Sequence, residues 1–444
     1  MNYEVIVVGG GIGGLTVAAV LAARGVNVCL LERQSQVGGC VATVEHAGYQ
    51  FEPTFGLYTG WEPGGIFQRL SAELGVTKPR TELLSPAYVV RLPDGVNVPR
   101  PNSFEEFEDV LRTAFPECPD AAITFYRDLT KASAESETNH LEHCSPRFRT
   151  FIDVQLRTLA QCSIDECTYQ FAAKVLDPQR SFWRIEGGIQ SLVDLLIESF
   201  RRSGGKLRLN APALRLAYGS DGLPIGVDLL NGERVVSTRA IVSNLTIWDT
   251  YGKLIGPSRT PRQTSSNLKE LRACGVYQMF LTLNSSVAST VSTVPLLIAS
   301  GLTSAESPNA ENAQFVFRAN SSASTAVVSA YTSPEDWFSF HEDLEVFETR
   351  DRAQLETLWT QVHGSMPELG DGIELIETAN PQTFYEDLRR RFGMIGRPTT
   401  QSSDQSIHTT PYRDVFMAGD TVAGGCGIDG VVESAWHLAD RITA

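Results

Sequence analysis

The first 33 residues constrain this chain more than any other stretch. Tyr3-Glu4-Val5-Ile6-Val7-Val8 is an apolar, β-branched run of the kind that fills the middle of a parallel sheet. It ends in Gly9-Gly10-Gly11-Ile12-Gly13-Gly14, which fits G-x-G-x-x-G with Gly9, Gly11 and Gly14 in the three required places. Leu15 to Arg24 reads as a helix closed by Gly25, and Val26 to Leu31 as a second strand that delivers Glu32. Gly9 allows the tight turn, Gly11 lets backbone approach a pyrophosphate, and Gly14 lets helix pack on strand. The helix start then offers unpaired N–H groups and a positive dipole end to phosphate. Glu32 stands where a carboxylate can bind both ribose hydroxyls of an adenosine.

Such a glycine pattern alone is weak, but here strand, helix and acid all stand where the motif needs them. Gly38-Gly39 follows Glu32 by six residues, a close-approach loop that nicotinamide domains do not need. Near the C-terminus, Asp414 to Met417 reads as a strand leading through Ala418 into Gly419-Asp420. Gly424, Gly425, Gly427 and Gly430 follow, then a helix pattern from Val431 to Ile442. Together these segments resemble the two-dinucleotide-binding flavoproteins. The resemblance implies non-covalent FAD lying extended between an N-terminal Rossmann unit and the Gly-Asp segment. The residues it implies for FAD are Gly9, Gly11, Ile12, Gly13, Gly14, Glu32, Arg33, Gly38, Gly39, Gly419, Asp420, Gly427, Ile428, Asp429 and Val431. Cys40 and Cys426 fall near the expected flavin, yet nothing around them matches a thioether attachment motif.

Composition narrows the partners. A net charge of −15 argues against nucleic acid and gives no polybasic attraction to anionic lipid, so any peripheral membrane contact has to be apolar. The longest apolar run, Val17 to Ala23, is far short of the roughly 20 residues that span a bilayer. The N-terminus carries no recognisable signal-peptide pattern. The eight cysteines are scattered and form no C-x-x-C. That fits reduced thiols in a cytoplasm and not a disulfide framework. Cys162 and Cys167 are the closest pair, and their neighbours supply no further metal ligands, so no metal site is expected.

The 444 residues suffice for two domains. The expected fold class is α/β: a Rossmann-type FAD-binding domain with an inserted α+β substrate domain of antiparallel sheet plus helices. Residues 1–75, 186–256 and 386–444 are assigned to the FAD domain, and 76–185 and 257–385 to the insert. Within the insert, Pro86 to Pro99 reads as a hairpin. Helices are expected at Phe104–Phe115, Asp120–Lys131, Pro146–Ala160, Ser163–Leu176 and Leu344–His363. Val276–Leu283, Ala313–Arg318 and Ala326–Tyr331 suit one antiparallel sheet. In the FAD domain, Arg234–Val236 and Arg239–Asn244 read as two separate strands.

The middle of the chain adds specificity. Gly48-Tyr49-Gln50-Phe51-Glu52, Glu62-Pro63-Gly64-Gly65-Ile66, Asp153 to Gln161 and Phe182-Trp183-Arg184-Ile185-Glu186-Gly187-Gly188-Ile189 resemble segments of the phytoene desaturase and carotenoid isomerase family. The chain departs from that family at Asp429, where Pro is frequent. A carboxylate there either caps the helix or opposes the negative charge of a reduced flavin and tunes its potential. Glu52, Tyr58, Trp61 and Trp183 are candidates for the substrate wall, with packed structural roles competing for each. His46 reads as a surface histidine in a hairpin turn, His408 has no partner that the sequence can name, and no catalytic residue is assigned.

The resemblance implies an FAD-dependent oxidoreductase that desaturates or isomerises a small apolar polyene or isoprenoid. The competing readings are an amine-oxidase-like enzyme for a small amine and a flavin-binding protein without turnover.

Overall fold

The computed structural model describes residues 2–130, 144–272, 274–301, 314–320, 324–338, 344–396, 407–423 and 426–444. Its first sheet grows from the apolar runs at the N-terminus. Strand β1 (Asn2–Val8) leads into helix α1 (Ile12–Ala23) and returns as β2 (Val28–Leu31), paired in parallel with β1 from Val5↔Val28 to Val8↔Leu31. Val5 and Val7 face one core and Ile6 and Val8 the other, so both faces are covered and the run needs no polar alternation. α1 is buried nearly all round, wedged between helix Gln190–Arg202 and the C-terminal helix.

The other strands of this sheet come from far along the chain. We label β3 (Val89–Arg91) and β4 (Asn97–Pro99), helix α2 (Pro146–Ala160), then β5 (Lys206–Arg208), β6 (Ala213–Tyr218), β7 (Pro224–Leu229) and β8 (Arg234–Ser243). The first sheet runs β6-β7-β8-β1-β2-β5. The two strands expected at 234–236 and 239–244 are one continuous strand. Its start pairs antiparallel with β7 while its remainder runs parallel to β1, so one strand serves both neighbours.

The second sheet contains β9 (Gly275–Leu283), β10 (Leu296–Ala299), β11 (Gln314–Ala319), β12 (Thr325–Thr332) and, after helix α3 (Leu344–Ser365), β13 (Ile373–Ala379). Its order is β13-β9-β12-β11-β10-β3-β4. It departs from a purely antiparallel sheet at one place: β10 pairs in parallel with β3, Leu296 opposite Val89. That pairing joins the hairpin of the first insert segment to the strands of the second. Tyr277, Met279 and Leu281 pack toward α3, and helices of residues 104–176 cover Val90, Val98 and Leu297. The helix expected over Ser163–Leu176 is broken. Ser163 and Glu166 form a capping box around a short turn at Ile164–Glu166, and Thr168 caps a new helix at Tyr169.

β14 (Val415–Met417) closes the first sheet beside β8, and α4 (Gly427–Thr443) follows. Gly424 and Gly425 lie outside the described residues. His408 ties these elements together. Its Nδ1–H donates to the Met417 carbonyl at 2.9 Å, and its Nε2 faces the Ser434 hydroxyl at 3.4 Å. Burial lowers its pKa below the ordinary 6.5, because the charged ring loses hydration. A depressed folded-state pKa means that His408 contributes full stability above pH 6.5 and loses it as pH falls through the depressed value. Thermal unfolding followed from above to below pH 6.5 is therefore expected to show a falling midpoint. His408→Gln is expected to flatten that fall, and an unchanged slope would remove His408 as its source.

Candidate functional site

The C-terminal ends of β1, β8 and β14 meet at one place, and a cavity of about 1070 Å³ opens there. Backbone hydrogen bonds tie the glycine turn and the neighbouring strand ends together. Gly9 N–H donates to Leu31 O at 2.8 Å, Asn244 N–H to Val8 O at 2.8 Å, and Ala418 N–H to Ser243 O at 2.8 Å. A Cβ at Gly14 would overlap the Gly9 carbonyl, which is why helix can follow strand so closely only with glycine there. A Cβ at Gly13 would stand 2.7 Å from Asn244 Oδ1 and 2.9 Å from the Gly419 backbone. Gly38 N–H donates to Gly10 O at 2.8 Å, and a Cβ at Gly39 would press on Gly11 Cα at 3.2 Å. The second glycine pair thus packs on the first turn.

Gly9, Gly11, Ile12, Gly13, Glu32, Arg33, Gly38, Gly39, Gly419, Asp420, Gly427, Ile428 and Val431 line this cavity; Gly14 stands behind the turn. α1 begins at Gly11 with no side-chain cap and no acid in its first turn, so its first N–H groups are left for an anion. Glu32 sits beside it. Its Oε2 accepts from Gly10 N–H at 2.6 Å and its Oε1 from Gln34 N–H at 2.7 Å, which orients the carboxylate and leaves lone pairs for hydroxyls. Asp420 is also fixed by protein donors. Its Oδ2 accepts from Arg390 Nη2 at 2.7 Å and Gly396 N–H at 2.8 Å. Burial works against the Arg390 charge, yet Asp420 and Cys40 beside it carry its pKa above the usual arginine value. Burial pushes the Cys40 thiol up.

Asp429 and three of the four wall candidates take structural places. Asp429 does not cap α4, which starts at Gly427 after Cys426. It lies inside the first turn, pairs with Arg180 at 3.3 Å and is not among the lining residues. Glu52 stands behind the wall, accepting from Thr54 Oγ1 at 2.8 Å and from the Tyr58 hydroxyl, with Arg318 Nη1 3.7 Å away. Trp61 is core, 1% exposed and stacked on Phe67 at 4.1 Å. Trp183 is tied into a two-stranded ladder, and its backbone N–H donates to Tyr58 O at 2.8 Å. Of the four substrate candidates Tyr58 alone lines the cavity.

The reading from sequence missed Asn244, Arg390 and the inner face of β9. Asn244 is the hub of the glycine contacts, and its buried Oδ1 has no hydrogen-bond partner among the described residues. Only the position at the end of a parallel strand hinted at it. Val276, Gln278 and Phe280 alternate along β9 toward the cavity, joined by Tyr331, Thr378 and Ala379 from the neighbouring strands. Their signal was hidden because both faces of β9 are buried. His46 also lines the cavity, stacked on Phe280 at 5.1 Å. Among the described residues no cluster of three or more His, Cys, Asp or Glu could hold a metal ion, and no helix is long and apolar enough to cross a membrane.

Comparison with known proteins decides the family. The description "flavin containing amine oxidoreductase" matches residues 12–443. The chain belongs to the flavin-containing amine oxidoreductase family. Among the relatives of this amine oxidoreductase is a chloroplastic prolycopene isomerase of Daucus carota, 22% identical across all of the chain and 80% of the relative. Its fold is shared with an oxidoreductase from Methanosarcina mazei at TM-score 0.74 and 16% identity, covering 99% of this chain and all of that one. It is shared with putrescine oxidase at TM-score 0.61 and 15% identity, covering all of this chain and 99% of that one.

The residues present fit a flavin dinucleotide. The uncapped start of α1, the side-chain-free cradle around Asn244 and the oriented carboxylate of Glu32 are what a pyrophosphate and a ribose require. Gly13→Ala is expected to push α1 away from Gly419 and weaken flavin retention on the order of tenfold or more, about 1.4 kcal/mol. Gly25→Ala meets open space at its positive φ of 81° and should cost stability without affecting flavin retention. Flavin fluorescence titration of both variants checks this; equal affinities would overturn it.

Proposed function

We propose that this amine oxidoreductase binds FAD non-covalently and transforms an apolar polyene or isoprenoid, by desaturation or cis-trans isomerisation. The observation that carries the substrate class is the wall which the second sheet turns to the cavity. Val276, Gln278, Phe280, Tyr331, Thr378 and Ala379 contribute no charged group. A protonated amine desolvated against these six side chains would lose hydration and gain no countercharge from them, at a cost of several kcal/mol. A hydrocarbon pays no such penalty and gains about 25 cal/mol per Å² of apolar surface buried. The prolycopene isomerase relatives support the same class.

FAD residues in this reading are Gly9, Gly11, Ile12, Gly13, Gly14, Glu32, Arg33, Gly38, Gly39, Gly419, Asp420, Gly427, Ile428 and Val431, with Asn244 and Arg390 as positioning residues. Asp429 stays with Arg180 and reaches the cofactor only through the start of α4. A flavin supplies hydride acceptance, hydride donation or electron density to a conjugated chain. The chain's own groups hold the pyrophosphate, fix the ribose and exclude water from the apolar wall. Tyr58, its hydroxyl turned to Glu52 and Thr54, closes the wall on the first insert segment's side. Residues 76–185 and 257–385 carry the substrate side. Substrates of this class dissolve in membranes, so delivery from a bilayer surface is part of the reading.

Mass spectrometry after anaerobic incubation with linear carotenes in liposomes tests it, once with oxidised and once with reduced flavin. Loss of two hydrogens only with oxidised flavin identifies a desaturase. Unchanged mass with shifted retention only with reduced flavin identifies an isomerase. No product from flavin-loaded protein in either condition would sink the polyene reading. Val276→Asp, a charge placed in the wall, is expected to lower turnover at least tenfold while flavin retention is kept.

A further inference from the structure

Gln278 stands in the middle of β9 on the face turned to the cavity, between Val276 and Phe280. Strand register sets its neighbours. Ser329 of β12 lies opposite it on one side and Ala379 of β13 on the other. In the adjoining rows Tyr331 pairs with Val276, and Val327 with Phe280. Residues directly opposite in neighbouring strands share a face. The row Ser329, Gln278, Ala379 is therefore a trough that crosses the wall between two rows of bulkier side chains, and Gln278 and Ala379 open it to the cavity.

The amide at the floor of this trough is half used. Gln278 Nε2 donates to Pro53 O at 3.2 Å and to Ser329 Oγ at 2.9 Å. A carbonyl oxygen only accepts, so turning the amide over would press Oε1 on Pro53 O, two acceptors in contact. The orientation is thus fixed, and Oε1 is the end left over. It is buried, on a residue only 1% exposed, and has no hydrogen-bond partner among the described residues. Tyr331 in the adjoining row supplies none, because its hydroxyl donates to Thr158 O at 3.3 Å. A buried acceptor without a donor destabilises the protein until something brings one. The chemistry of the trough selects what that is. An ammonium finds no countercharge on these side chains, an aldehyde or ether oxygen adds a second acceptor, and a hydrocarbon brings no donor. A hydroxyl brings one O–H with little bulk.

We propose that the substrate is an isoprenoid alcohol whose O–H donates to Gln278 Oε1 in this trough, which makes Gln278 a specificity-determining residue. Contacts between an apolar chain and an apolar wall are non-directional, so they let the chain slide. A single hydrogen bond at the trough stops the sliding and sets which carbon of the chain stands at which point of the cavity. A site built to bond a hydroxyl also rejects the analogue that lacks it, because the buried acceptor is then left bare. The inference rests on the isoprenoid reading of the cavity and narrows it from hydrocarbon to alcohol.

The test compares two probes on full-length, flavin-loaded protein in detergent: geranylgeraniol, and its methyl ether, which keeps the oxygen and loses the donor. Affinities are read from quenching of tryptophan and flavin fluorescence. The wild type is expected to bind the alcohol roughly tenfold or more tighter than the ether, about 1.4 kcal/mol. This comparison needs no variant. Gln278→Met, close in shape but without the amide, is expected to bind the two probes alike while retaining flavin. Ser329→Ala keeps Oε1 but removes one anchor of the amide, and is expected to shrink the preference without abolishing it. Equal affinities in the wild type, the sign of an amide satisfied by fixed water alone, would overturn the proposal, as would a preference that survives in Gln278→Met. If linear carotenes are turned over while the two probes bind equally, the polyene reading stands and this inference falls. Binding of neither probe would remove both.

Discussion

Everything at this site depends on three backbone segments touching where no side chain fits. The turn after β1, the residue after β8 and the residues after β14 converge within hydrogen-bond distance, and Asn244 is the side chain between them. Parallel strands bring this about because their C-terminal ends all emerge on one edge of the sheet. Close approach needs glycine at 13, 14 and 419, and the same bareness leaves the N–H groups of α1 open to an anion. Packing and ligand recognition are here one constraint, so a methyl group at Gly13 disturbs both.

The second sheet supplies the other half of the cavity by a different device. β9 is buried on both faces, one against α3 and one against the cavity, and it carries no charged residue on either. A strand next to a site for a charged ligand would show polar residues on the inner face. This one shows Val276, Gln278 and Phe280, with the Gln278 Nε2 donating to Pro53 O and Ser329 Oγ. Two charged groups near this end, Glu52 and Arg318, face each other behind the wall, and the Tyr58 hydroxyl donates to Glu52. The arrangement keeps these two ionised groups out of the space beside β9, where each would need a partner.

Much was legible locally. Ser103 caps its helix at Glu106, α2 spans Pro146–Ala160 as its periodicity requires, and the hairpin around Ala47-Gly48 turns where positive φ is available. The failures have physical causes. A helix drawn through 163–176 ignored Ser163 and Thr168, whose hydroxyls compete for backbone N–H groups and start new turns. Between wall and packed roles for Trp61 and Trp183 the sequence left the choice open; stacking on Phe67 buries Trp61, and strand pairing holds the half-buried Trp183 away from the cavity.

By itself the sequence determined the β1-α1-β2 unit with its anion-ready helix start. Spacing rules there are local: three glycines, a helix and an acid are read within 33 residues. Only the tertiary structure decided that β3 joins β10 in parallel, that Asn244 and Arg390 stand against Gly419 and Asp420, and that Asp429 belongs to Arg180. These partners lie far apart along the chain, and no periodicity encodes a contact that is made only when two sheets and their helices have packed.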